Sequence, residues 1–230
     1  MQAVIGRHWR PLKVLIGCER SGQMRRAFEA LGHDAWSCDL APADDGSNRH
    51  IRGDLLAQLD GDWDLLAVMH PPCTILCNSG VRWLYRDGQP VPERWAALDD
   101  AAAFYRACRD AGSIPARAIE NPIMHRHAIE RTGRGDVQFV QPWWFGDPYF
   151  KATGFELVGL PHLIPTNRLV PPAKGTEEHK AWSRVHRMPP GPDRARLRSE
   201  TFPGVAAACA AQWSAAVLEK EAAGAWGKAA

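Results

Sequence analysis

The chain has 230 residues, 45% of them hydrophobic, and a formal net charge of +2, enough to bury a sizeable core in one large domain or one domain with a small appendage. No apolar run reaches the roughly 18 residues of a membrane-spanning helix. The opening MQAVIGRHWRPLK lacks the apolar centre of a signal peptide, so a cytoplasmic protein with no membrane partner is expected, and a monomer is favoured. Six cysteines (Cys18, Cys38, Cys73, Cys77, Cys108 and Cys209) lack the density and spacing of a secreted disulfide scaffold and read as reduced thiols.

In chain order, Lys13 to Glu19 reads as a strand, and Gly22 to Leu31 as a helix with Met24, Ala27, Phe28 and Leu31 on one face. Asp34 to Leu40 reads as a second strand, completing a βαβ opening. Asp64 to His70 predicts another strand. Glu93 to Ala111 predicts a helix with Trp95, Leu98, Ala102, Tyr105 and Cys108 inward, and Ala116 to Glu120 a strand ending at Asn121-Pro122. Val137 to Phe145 and Phe155 to Leu160 read as late strands that could pair antiparallel, and an alanine-rich helix, Val205 to Ala223, comes last. Strands alternating with helices predict an α/β fold, a mostly parallel Rossmann-like sheet with helices on both faces, whose ligands bind at the carboxyl ends of the strands. Glu19, Asp39, Pro71 to Cys73 and Glu120 to Pro122 all fall at such ends.

The texture divides the chain into a core over 1–160, a small basic lobe over 161–203 and a C-terminal helix over 204–230 packing back on the core. Asn167 to Arg198 carries Arg168, Lys174, Lys180, Arg184, Arg187, Arg194, Arg196 and Arg198 against three acidic residues, a net charge of +5. Such a cluster can follow a phosphate backbone, because neutralised phosphates release counterions; a solvated loop is the plainer alternative.

The first turn, Cys18-Glu-Arg-Ser-Gly22, offers a small-residue bend with free backbone N–H groups but lacks GxGxxG spacing, which disfavours a dinucleotide. Asp39, seventeen residues after Gly22, stands where a carboxylate can accept ribose hydroxyls; N-capping is the competing role for it and for Asp54. Cys73 follows a strand and two prolines. A cysteine beside a turn or helix N-terminus there is expected to sit in an electropositive spot that lowers its pKa and makes it nucleophilic. The competing roles are a buried structural thiol, or a zinc ligand together with His70 and Cys77, for which a fourth ligand at finger-like spacing is missing. Three cysteines at iron–sulfur spacing are also lacking, since Gly80 occupies the third place. Glu120 could instead be held by Arg82 or Arg117 in a buried ion pair.

The ordered set Val14-Leu-Ile-Gly-Cys-Glu-Arg-Ser-Gly22, Asp39, Gly53-Asp54, Pro71-Pro-Cys73 and Glu120-Asn-Pro122 resembles the DNA (cytosine-5) methyltransferase family, specifically its small phage-like members without a large target-recognition domain. The resemblance covers nearly the whole chain except the basic segment. It implies a Rossmann-like fold, S-adenosylmethionine as cofactor, DNA as partner and the cytoplasm of a bacterial or phage-infected cell as location. It also implies that Cys18, Glu19, Gly22, Asp39, Leu40, Asp54 and Pro71 bind the cofactor, with Gly22 close to the methionine part, Leu40 against adenine and Asp54 accepting the adenine amino group. Cys73 would add to carbon 6 of cytosine so that carbon 5 takes the methyl group. Glu120 would hold the base at its N3 and N4 edge and favour cytosine over uracil or thymine.

Two motifs depart from the family. Tyr149-Phe-Lys-Ala-Thr153 replaces a Gln-x-Arg-x-Arg element, so Lys151 supplies an auxiliary point charge without the planar fork of arginine. Thr201-Phe-Pro-Gly-Val205 replaces a Gly-Asn pair. The short lobe, with the eight basic residues as DNA contacts, offers few side chains for base edges, so low or very short sequence specificity is expected. Trp143-Trp-Phe145 could stack an unpaired base or belong to the core. Two alternatives stay open: the same chemistry on a free pyrimidine nucleotide or with a modified methyl donor, and a non-catalytic nucleic-acid-binding relative.

Overall fold

A computed structural model describes residues 9–121, 123–189 and 201–225. In chain order its elements are β1 (Lys13–Gly17), α1 (Gln23–Glu29), β2 (Asp34–Asp39), β3 (His50–Arg52), β4 (Leu65–Val68), α2 (Cys73–Leu76), β5 (Tyr85–Arg86), β6 (Gln89–Pro90) and α3 (Pro92–Arg109). They continue with β7 (Ala116–Asn121), α4 (Arg126–Thr132), β8 (Asp136–Val140), β9 (Thr153–Val158), α5 (Glu177–Trp182), α6 (Arg184–Arg187) and α7 (Pro203–Ala222).

Seven strands form one sheet in the order β3-β2-β1-β4-β7-β9-β8, parallel from β3 to β7, with β9 antiparallel to both neighbours. The centre is β1 and β4, whose runs Val14 to Ile16 and Leu65 to Val68 are buried throughout, as a strand covered on both faces requires. Alternation sends Val14, Ile16, Leu65 and Ala67 to the face carrying α1 and α7, and Leu15, Leu66 and Val68 to the face carrying α3. On the first face Trp213 of α7 is fully buried and meets Phe155 of β9 edge-on, ring centroids 5.4 Å apart. Truncating so large a buried indole costs about 3–5 kcal/mol. On the second face α3 buries Leu98, Ala102, Tyr105 and Cys108, with Trp95 partly covered, as its spacing predicts.

The rim follows from register. Gly17 faces Val68, and Val68 faces Ile119, so the parallel strands β1, β4 and β7 end together and put Cys18, His70 and Glu120 along one edge. The late strands pair antiparallel, as their sequences suggest, Glu120 opposite Phe155 and Phe139 opposite Gly154. Three expectations need correction. The strand expected through Phe145 stops at Val140, because Pro142 has no N–H for the ladder and a 3-10 turn follows. Leu31 lies beyond α1 and is 42% exposed, whereas Arg25 is buried by ion pairs to Glu29 and Asp45. The start of the basic segment is core structure: Leu163 is buried, the Gln138 amide bonds both its N–H and its carbonyl, and Gln212 of α7 does the same for Ile164.

Candidate active site

The turn after β1 is tightly determined. Cys18 has φ 54° and Gly22, the N-cap of α1, has φ 69°, a left-handed conformation that glycine adopts without strain. A Cβ on Gly22 would also stand 2.6 Å from side-chain atoms of Arg25 and Asp45. Glu19 is fully buried, and its carboxylate accepts from the N–H groups of Met24 at 2.6 Å and Arg25 at 3.2 Å. That carboxylate has a structural task, satisfying the first amides of α1. Asp45 sits over the same end, 2.6 Å from Arg26 and bonded to Arg25. The Glu19 carboxylate thus occupies the first amides of α1, the groups that would otherwise be free for an anion.

Asp39 ends β2, and Asp54 follows β3. Oδ1 of Asp39 accepts from Ala41 N–H at 2.9 Å, and Oδ1 of Asp54 accepts from Leu56 N–H at 3.0 Å. Each therefore forms the local cap its residue type favours, through one of its two oxygens. Leu40 is 76% exposed, an apolar side chain presented beside Asp39. His50 supports this turn, with Nε2 2.9 Å from the Ala41 carbonyl and Nδ1 2.8 Å from the Ser37 hydroxyl. Pro71 is buried and its carbonyl accepts the Cys73 N–H.

Cys73 opens α2 immediately beyond β4 and is partly exposed. The electropositive spot expected for it is corrected by its surroundings: its thiol is pushed up to about 11, by burial first and then by the charges of Glu120 and Cys77. Lys151 and a backbone N–H oppose this and are outweighed. Cys73 is therefore a protonated thiol at neutral pH in the ligand-free protein.

Glu120, the penultimate residue of β7, is 6% exposed. Burial raises its carboxyl to about 7, with Lys151 pulling the other way. Neither Arg82 nor Arg117 pairs with it: the Arg117 guanidinium bonds the carbonyls of Arg109 and Ile114, and Arg82 lies over the Trp83 ring. Its near neighbour is His70, whose Nδ1 lies 3.8 Å from Glu120 Oε2. His70, Glu120 and Lys151 line one pocket with Met69, Thr153, Thr201, Phe202 and Val205. The Thr201 to Val205 motif thus reaches the Glu120 pocket, held by Asp147, whose Oδ2 accepts the Gly204 N–H at 2.8 Å. A Cβ on Gly204 would lie 2.1 Å from the Phe145 carbonyl, so only glycine fits this approach.

Glu120 and Lys151 thus share one pocket; Cys73 is not among the residues that line it, but the charges of both act on its thiol. Two residues of this neighbourhood had no assigned role in the sequence. His70 was weighed only as a metal ligand, although its position before Pro71-Pro72-Cys73 was the available signal. His125 gave no local signal at all. It is 3% exposed, caps α4 by accepting the Ala128 N–H at Nδ1, and has Nε2 2.8 Å from the Ile75 carbonyl of α2, the helix that Cys73 opens.

Among the described residues no three His, Cys, Asp or Glu side chains are grouped to hold a metal ion, and no helix is long and apolar enough to cross a membrane. Of the basic residues, Arg168, Lys174, Lys180, Arg184 and Arg187 are exposed, while Arg194, Arg196 and Arg198 lie outside the described residues, as does Pro122. Three already have partners within the chain: Arg168 over the rings of Trp143 and Trp144 at 5.5 and 5.1 Å, Arg184 over Tyr149 at 4.5 Å, and Lys180 paired with Glu177. Phe145 is buried, so of the three aromatics only Trp143 and Trp144 have surface to offer.

Fold and site together define a Rossmann-like α/β domain whose polar groups converge at the carboxyl ends of its parallel strands. No protein-family model matches the chain, and no curated protein matches it significantly. Among solved structures, it is similar to an Entamoeba histolytica methyltransferase, EhMeth, with 14% identity over 70% of this chain and 58% of that one and a TM-score of 0.47. It is also similar to the S. pombe Dnmt2 methyltransferase, with 13% identity over 64% of this chain and 49% of that one, TM-score 0.39. A third similarity is to a mutant of Spodoptera frugiperda DNMT2, with 13% identity over 70% of this chain and 57% of that one, TM-score 0.40. The chain therefore spans between 49% and 58% of the length of these three proteins.

Proposed function

We propose that this chain is an S-adenosylmethionine-dependent methyltransferase that modifies carbon 5 of cytosine in DNA. The observation that carries the reading is the placement of Glu120, at the end of β7, and Lys151, before β9, in one pocket at the rim of the sheet where Cys73 follows β4. The cofactor would be held by the Cys18 to Gly22 turn, Asp39, Leu40, Asp54 and Pro71, and when bound it supplies an electrophilic methyl group. The first amides of α1 are already taken by Glu19, and exposed Leu40 beside Asp39 offers an apolar surface next to a hydroxyl acceptor.

On the protein side, Cys73 Sγ loses its proton to solvent as it bonds to carbon 6 of the ring, and the displaced pair of the 5,6 double bond places electron density on carbon 5. Glu120 accepts from the exocyclic amino group and shares its proton with N3, and a carboxyl near 7 can do both at physiological pH. Lys151 provides positive charge for the ring carbonyl as density moves into the ring. After carbon 5 has been methylated, loss of its proton to solvent re-forms the double bond and expels Sγ. A base that meets a buried pocket must leave the stack, which fits DNA with the base flipped out. The exposed cations Arg168, Lys174, Lys180, Arg184 and Arg187 are the proposed backbone contacts, with Arg194, Arg196 and Arg198 completing the set.

The test is product mass. Protein incubated with DNA and S-adenosylmethionine should yield 5-methylcytosine in the digested DNA, and Cys73→Ala should yield none. Product on deoxycytidine monophosphate but not on DNA would move the activity to free nucleotides. No product on either would leave the binding relative.

A further inference from the structure

We propose that His70 is a specificity residue of this pocket, accepting a hydrogen of the exocyclic amino group of the target pyrimidine alongside Glu120. The inference rests on the reading of the pocket as a cytosine site. Its grounds are positional. His70 stands between the end of β4 and the Pro71-Pro72 step, lines the pocket with Glu120 and Lys151, and has Nδ1 3.8 Å from Glu120 Oε2. Its other ring nitrogen, Nε2, is buried with no hydrogen-bond partner among the described residues.

A buried polar atom without a partner is a standing cost that a complementary ligand atom removes. Which ligand atom fits depends on the charge of the ring. Burial, followed by the positive charge of Lys151, holds His70 far below the usual histidine range, at about 3, so the imidazole is neutral and one nitrogen carries a lone pair. With the Glu120 proton shared with ring N3, the other oxygen of that carboxyl only accepts, so the hydrogen belongs on Nδ1, which faces Glu120, and the lone pair on Nε2.

An amino group has two hydrogens, and Glu120 takes one. Two residues lining the pocket carry a buried polar atom without a partner among the described residues, His70 Nε2 and the Thr201 hydroxyl, and of these His70 stands beside Glu120 and takes the second hydrogen. Uracil and thymine carry a carbonyl oxygen at the same ring position, and a lone pair facing that oxygen repels it. His70 therefore adds discrimination to the pocket, as a group placed against the wrong ligand as well as for the right one.

The experiment measures affinity for oligonucleotides carrying one cytosine or one 2-pyrimidinone, which lacks the amino group, in a Cys73→Ala background where no covalent bond forms. With His70 present, two lost hydrogen bonds predict a preference for cytosine of about a hundredfold. His70→Phe should lower that preference to about tenfold and leave the affinity for 2-pyrimidinone unchanged. His70→Asn, which keeps an acceptor and guards against a folding defect of the larger ring, should retain an intermediate preference. A full preference in both variants, or an equal loss for both oligonucleotides, overturns the role of His70 alone. No preference with His70 intact overturns the pyrimidine reading beneath it.

Discussion

His125 Nε2 donates to the Ile75 carbonyl at 2.8 Å, so one imidazole ties the helix that carries Cys73 to the segment that follows Glu120. The tie is reinforced by the His125 N–H bonding the Leu76 carbonyl at 3.1 Å and the Asn78 N–H bonding the Ile123 carbonyl at 3.1 Å. Because a carbonyl only accepts and the Ala128 N–H only donates, both ring nitrogens have fixed roles and the ring is the neutral Nε2–H tautomer. His125→Ala should destabilise the fold by about 1–3 kcal/mol, the cost of leaving a buried carbonyl and an amide unpaired. If Cys73 is the nucleophile proposed above, the variant should also lower the methylation rate more than binding, because it releases the helix that carries Cys73 without touching the pocket. Thermal unfolding alongside single-turnover kinetics checks both parts.

The Cys73 thiol should respond to Glu120. With burial the larger cause and the Glu120 charge the next, Glu120→Gln should bring the thiol partway down from about 11, while Lys151→Met should raise it. The pH dependence of alkylation by iodoacetamide, with mass mapping to Cys73, reads these shifts. Identical titrations in the parent and Glu120→Gln would mean that the two groups are not coupled.

Stability should depend on pH through the same pocket, with opposite signs for its two acids. The Glu120 carboxyl is raised from 4.5 to about 7, so its contribution is fully present below about pH 4.5 and is lost as pH rises through about 7. His70 is lowered from 6.5 to about 3, so its contribution is present above about pH 6.5 and is lost as pH falls toward 3. Glu120→Gln should thus stabilise the protein at pH 8 by up to about 3 kcal/mol and change little at pH 4. His70→Phe should flatten the acid side instead. Urea unfolding at several pH values distinguishes the two limbs.

The sequence made the scaffold legible wherever the pattern is local. Leu65 to Val68 could only be a strand covered on both faces, and the spacing of Leu98, Ala102, Tyr105 and Cys108 marked the buried face of α3. The strand ends carrying Cys73 and Glu120 followed from that. Electrostatics did not follow, because the pKa of Cys73 is set by Glu120, distant in sequence, and by burial that no local motif encodes. Glu19 shows the same limit. It stands at a strand end like the others, yet its carboxylate turns inward to the amides of Met24 and Arg25. His125 was invisible, since its partners Ile75 and Leu76 lie fifty residues earlier.

The basic segment should reveal itself through salt. Replacing Lys174, Lys180, Arg184 and Arg187 by alanine should reduce the slope of log affinity against log salt by roughly 0.9 for each phosphate contact removed. Arg168 is placed differently, over Trp143 and Trp144. Arg168→Ala should therefore also change the fluorescence of those indoles. Filter binding or fluorescence titration between low and moderate salt gives the slopes.

The claim on which everything else stands is that the sulfur beyond β4 bonds to a cytosine ring. Incubation with S-adenosylmethionine and DNA containing 5-fluorocytosine removes the escape route, because the fluorine at carbon 5 cannot leave as a proton does. The account predicts a denaturation-resistant protein–DNA adduct whose peptide map places the nucleotide on Cys73. An adduct on another residue, or none while methylation of unsubstituted DNA proceeds, would contradict it.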